Sequence, residues 1–90
     1  MTTISLGDLA ALLLETGAAH HHAYVTTDGV DPEWASWYAP YLQTRLGDRL
    51  GRSITRSELI YLLLLAERRQ ADTKDPAPWP EFYAQIILDA

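Results

Sequence analysis

Residues 59 to 66 read LIYLLLLA, eight consecutive apolar side chains. At 100° per residue they occupy every side of a helix, and a helix that is apolar all round has to be covered on every side. In a chain of 90 residues this places the helix at the centre of a small helical domain or at a subunit interface. The reading favours a homo-oligomer, with a second copy of the chain supplying part of the cover through residues 59–66.

The rest of the chain supplies the partner helices. Ser5, followed three residues later by Asp8, opens the first as a capping-box-like start, and its pattern runs to about Tyr24. The segments TDG and VDPEW then stop and restart the chain: Asp28 and Gly29 make a turn, Asp31 caps, and Pro32 takes the first helical position, where its missing N–H costs nothing. This second helix extends to about Leu50, with a kink or break expected at Pro40. Thr55 and Glu58 form another capping box, opening a third helix that runs to about Ala71. DPAPWPEF reads as an extended linker, and Pro80 begins a fourth helix that nearly reaches residue 90.

Two stretches repeat. ISLGDLAALLL (4–14) and ITRSELIYLLL (54–64) match in isoleucine, hydroxyl cap, acidic residue and leucines at an offset of 50; WASWYAPYL (34–42) and WPEFYAQII (79–87) match at an offset of 45. The expected architecture is therefore an all-α, four-helix single domain over residues 1–90, built as two αα-hairpins (4–50 and 54–90) by internal duplication. Leucine-rich amphipathic patterning alone can generate similar helices, and the recurring Trp-x-x-aromatic-Tyr-Ala is what favours duplication. In this register His20, His21 and His22 face Gln70, Ala71 and Asp72, so the histidines belong to one copy only.

Composition narrows the function classes. The absence of cysteine excludes disulfides and thiolate metal sites. No basic region precedes an apolar stretch near residue 1, and no run approaches the roughly 18 apolar residues of a membrane span, so a soluble cytoplasmic protein with no membrane partner is expected. The net charge of −5 conceals an asymmetry: all seven Lys and Arg residues lie between Arg45 and Lys74. Arg45, Arg49, Arg52 and Arg56 could form an anion-binding patch or simply a solvated charged turn, and an acidic chain gains no general steering toward nucleic acid.

All three histidines stand together at 20–22. On a helical wheel Leu6, Ala10, Leu13, Gly17 and Tyr24 define the inner face; His20 falls about 40° to one side of Tyr24, His21 about 60° to the other, and His22 points away. Consecutive residues on a helix cannot share one metal, which needs i, i+3 or i, i+4 spacing, so no metal site is expected. Gly17 costs the helix about 1 kcal/mol relative to alanine, and something should sit close over it. Either Trp34 or Trp37 packs there, or Gly17 floors a small-ligand pocket walled by His20, His21, Tyr24, Trp34, Trp37 and Tyr38, with Asp28 or Asp31 near its mouth. No catalytic set stands out, since Ser5 and Thr55 are engaged as caps and no Gly-rich phosphate loop is present; no cofactor is expected.

The stretch HHHAYVTTDGVDPEWASWYAPYL followed by TRSELIYLLL resembles a group of short bacterial helical proteins with a His-rich helix and a DG-x-DPEW-x-x-WYA motif. The resemblance implies a shared design and carries no activity with it. GRSITRSELI is also similar to the turn of ribbon-helix-helix regulators, which would require HAYVTT to be the DNA-reading strand, yet that segment has no Lys or Arg. The leading expectation is a small non-enzymatic accessory or protein-interaction module, possessing a homo-oligomeric contact and an unidentified protein partner. The alternative is a small-ligand binder acting near Gly17, His20 and His21; DNA binding ranks last.

Overall fold

The computed structural model describes residues 3–27 and 31–90. Its elements are α1 (Leu6–Ala23), α2 (Trp34–Leu46), α3 (Arg56–Thr73) and α4 (Trp79–Asp89), with one 3₁₀ turn at Val25–Thr27. No strand occurs among the described residues, so the domain is all-α. HAYVTT forms the end of α1 and the 3₁₀ turn, leaving no ribbon to enter a DNA groove.

Local chemistry sets the helix starts. The Ser5 hydroxyl accepts the Asp8 N–H at 3.1 Å. At α3 the box is reciprocal: Thr55 Oγ1 accepts the Glu58 N–H at 3.1 Å, and Glu58 Oε1 accepts the Thr55 N–H at 3.2 Å. α2 departs from expectation at both ends. It starts at Trp34 rather than Pro32, because Asp31 turns its Oδ1 onto the Glu33 N–H (3.0 Å) in a tight turn around Pro32, and Glu33 becomes the cap without a side-chain bond. It ends at Leu46 rather than Leu50, where Gly47 adopts φ +53, a conformation that costs glycine little. Between these ends α2 continues through Pro40 unbroken. The expected Asp28-Gly29 turn lies outside the described residues. α4 begins at Trp79, one residue before Pro80, preceded by a second Asp-Pro turn in which Asp75 Oδ1 accepts the Ala77 N–H at 2.8 Å.

α1 packs against α2 and α4, and α3 likewise against α2 and α4; the most extensive contacts are α1 with α4 and α2 with α3. Leu9, Leu13, Leu42, Leu46, Leu59, Leu63 and Ile87 are fully buried between them, each stabilising the fold by roughly 1.5–3 kcal/mol. The buried stripe of α1 is Leu9, Ala10, Leu13, Thr16 and His20, so Leu9 and Thr16 replace Leu6, which is partly exposed in the first turn. Thr16 hides its hydroxyl by donating to the Leu12 carbonyl at 2.8 Å.

The apolar run of α3 is only partly covered. Leu59, Leu62, Leu63 and Ala66 are buried in the core, Ile60 and Leu65 are half-buried, and Tyr61 and Leu64 remain 63% and 46% exposed. The arginines between 45 and 56 largely serve the fold. Arg45 reaches Glu15 at 3.2 Å and lies 3.4 Å over the Tyr41 ring, Arg52 pairs with Glu58, and Arg56 bonds Gln43 Oε1. Gln43 in turn donates to the Ile54 carbonyl, locking α2 to the start of α3. Three of the four arginines, Arg45, Arg52 and Arg56, thus have partners within the domain. Among the described residues no helix is long and apolar enough to cross a membrane.

Candidate functional site

His20 lies on the last full turn of α1 inside the buried stripe. Its Nε2 stands 3.0 Å from Asp31 Oδ2, and the two side chains are only 8% and 9% exposed. A carboxylate can only accept, so Nε2 carries the hydrogen in this pair. The Tyr24 ring stacks on the imidazole at 4.8 Å, Trp37 meets it edge-on at 5.3 Å, and Tyr38 lies tilted at 5.5 Å. Of the residues expected to form a pocket, Tyr24, Trp37 and Tyr38 thus converge on the imidazole of His20. The hydrogen bond from His20 holds the Asp31 carboxyl below its ordinary range against the opposing effect of burial, aided by the Glu33 N–H and the Tyr24 hydroxyl.

His21 does not join them. It is exposed, as is His22, because the stripe set by Ala10 and Thr16 extends about 60° either side of Leu13, and position 21 falls about 80° away. The expectation that His20 and His21 bracket Gly17 is corrected accordingly.

The space over Gly17 is filled by Tyr38, one of the expected wall residues, and by Trp79, which was not among them. A Cβ built there would meet the Tyr38 hydroxyl at 3.2 Å and the Trp79 ring at 3.3 Å. Trp79 comes from α4, the helix most extensively packed on α1, whereas Trp34 and Trp37 sit elsewhere on α2. Glycine thus permits a close approach, and tight packing accounts for its presence.

Beside this contact a cleft of about 290 Å³ opens between the hairpins. Trp34 and Tyr38 of α2 form one wall, edge to face at 5.0 Å; Trp79 and Tyr83 of α4 form another, edge to face at 5.3 Å. Trp34 and Tyr83 approach each other at 6.3 Å across the cleft. The His20–Asp31 pair and Glu67 of α3 also line it. Burial raises the Tyr38 phenol; burial, together with the negative charge of Glu67 and an interaction with Tyr38, pushes that of Tyr83 up to about 12.

Glu67, Trp79 and Tyr83 were absent from the expected site. The signal for the last two was present in the offset of 45, which pairs Trp34 with Trp79 and Tyr38 with Tyr83, and the offset of 50 pairs Glu67 with Gly17. Among the described residues the lining holds no serine, threonine or lysine. The arrangement can hold a proton on the His–Asp pair and offer aromatic faces beside carboxylates. Among the described residues no three His, Asp or Glu side chains are grouped so as to hold a metal ion. In comparisons with known proteins, no family model, no curated protein and no solved structure matches the chain.

Proposed function

We propose that the protein is a non-enzymatic interaction module that pairs with a second copy of itself through the outer face of α3. The observation that carries the reading is the exposed stripe of Tyr61 and Leu64 beside half-buried Leu65. Apolar side chains of this size aligned on one helix face mark association surfaces more often than isolated exposed residues do. The stripe ends in opposite charges, Glu58 toward the start of α3 and Arg68 toward its end. Two α3 helices crossing antiparallel about a twofold near Leu63 would set Glu58 of each copy against Arg68 of the other, and Tyr61 against Leu65. Sedimentation of the full chain at increasing concentration tests this: a monomer–dimer equilibrium is expected, shifted to monomer by Tyr61→Lys with Leu64→Lys and weakened by Arg68→Glu. A compact monomer at millimolar concentration overturns it.

The duplicated-hairpin origin belongs to the same proposal. It is supported by the recurrence of the Asp-Pro turns at Asp31 and Asp75, of the edge-to-face Trp–Tyr pairs, and of buried leucines at 9 and 59 and at 13 and 63. A second reading, small-ligand binding in the aromatic cleft, is favoured by the convergence of two tryptophans, two tyrosines and two carboxylates on one opening.

A further inference from the structure

We infer that the cleft between the hairpins takes a small organic cation, a quaternary or highly methylated ammonium group, an assignment that rests on the ligand-binding reading of that cleft. Three observations carry it. The walls are aromatic, with Trp34, Tyr38, Trp79 and Tyr83 arranged as two edge-to-face pairs. Aromatic faces attract cations through the ring quadrupole, and they favour cations with a weakly held water shell, as methylated ammonium groups have.

The charge lining the cleft is negative. Among the described residues no Lys or Arg contributes to it, whereas Asp31 and Glu67 both do. Asp31 has His20 as its partner; Glu67 takes part in none of the ion pairs among the described residues, which are His20–Asp31, Arg45–Glu15 and Arg52–Glu58. Even a doubly protonated His20 would therefore leave Glu67 unbalanced. An anionic ligand would meet repulsion here, and a neutral apolar one would leave the carboxylate without a counter-charge.

The third observation is the asymmetry between the hairpins. At position 17 the missing side chain lets Trp79 and Tyr38 close down on the helix, to within 3.2–3.3 Å of where a Cβ would stand. At position 67, offset by 50, a glutamate stands instead, and it lines the open cleft together with Trp34. Where Gly17 lets aromatic side chains close on α1, the position offset by 50 on α3 thus places a charged group at the cleft. A volume of about 290 Å³ suits a head group rather than an extended chain.

Titration of the full chain with choline chloride, followed by tryptophan fluorescence or the indole N–H chemical shifts and referenced to equal sodium chloride, tests the assignment. Its neutral isostere, 3,3-dimethyl-1-butanol, serves as the comparison. Choline is expected to saturate and to bind about tenfold more tightly than the alcohol, and Glu67→Gln to weaken choline about fivefold with the alcohol and the melting temperature unchanged. Equal binding of the two probes, or a Glu67→Gln variant that binds choline undiminished, overturns the cation assignment while leaving a ligand cleft in place. Binding of neither overturns both readings.

Discussion

The imidazole of His20 and the carboxylate of Asp31, 3.0 Å apart and almost fully enclosed, join the last turn of α1 to the turn that starts α2. His20→Ala removes both the hydrogen bond and the ring stacked on Tyr24. It is expected to lower the melting temperature by several degrees, where each kcal/mol corresponds to ~4–8 °C in a domain of this size. His21→Ala, at an exposed position, should leave it within a degree. Thermal denaturation of the two single variants side by side checks the split, and equal effects would refute the placement of His20 inside and His21 outside.

Acid should act through Asp31. Its folded pKa lies below the ordinary value of 3.8, so the folded state retains the ionised form longer than the unfolded chain does. The associated stability is fully present above pH 3.8 and is lost as pH falls below it toward the folded pKa. Urea midpoints measured from pH 6 down to 2.5 should show this acid limb, and Asp31→Asn should flatten it.

Alkali should act through Tyr83. With the folded phenol raised from 10.0 to about 12, the native state holds its proton where the unfolded chain has lost it. Stability is therefore complete below pH 10 and declines as pH rises from 10 toward 12. Tyr83→Phe should reduce that decline, read from denaturation midpoints at pH 9, 10.5 and 11.5.

Gly17→Ala tests the close approach over α1. Alanine is better than glycine in a helix by about 1 kcal/mol, but its methyl would stand 3.2 Å from the Tyr38 hydroxyl and 3.3 Å from the Trp79 ring. Because both neighbours are large and packed, the expected outcome is a net loss of about 1 kcal/mol and a shift in tryptophan emission. A more stable variant with unchanged emission would show that Trp79 yields freely.

Leu13→Ala and Leu63→Ala probe the correspondence of the hairpins. Both side chains are fully buried, and each truncation should cost roughly 2–5 kcal/mol. Similar losses are expected if the positions correspond, whereas a difference larger than the roughly twofold spread usual for such truncations would argue that the two leucines occupy unlike environments.

The starts of α1 and α3 were legible because they are written in local chemistry: Ser5 with Asp8 and Thr55 with Glu58 act within three residues of themselves. The start of α2 was misread for a related reason, since an aspartate before proline can cap a helix or close a turn on itself. Asp75-Pro76, read as part of an extended linker, is the same device beside a helix that begins two residues beyond Ala77. The occupant of the space over Gly17 was beyond local reading. Wheel geometry selects a face of α1, but whether α2 or α4 lies on that face is decided by how two hairpins dock. Trp79 therefore could not be preferred over Trp34 or Trp37 from spacing alone. Glu67 escaped notice because an exposed glutamate on a helix is ordinary, and only its correspondence with Gly17 sets it apart.

The pairing of α1 with α4 and of α2 with α3 has a consequence for how the chain assembles. Each hairpin leaves its main apolar surface for helices of the other, so the contacts that complete the core are the same whether the second hairpin comes from one molecule or from a neighbour. The hinge between them is the stretch 47–55, held on one side by the bond from the Ile4 N–H to the Arg49 carbonyl at 2.7 Å. Shortening that stretch should favour the exchange of hairpins between molecules over closure within one, giving an intertwined dimer with an unchanged core.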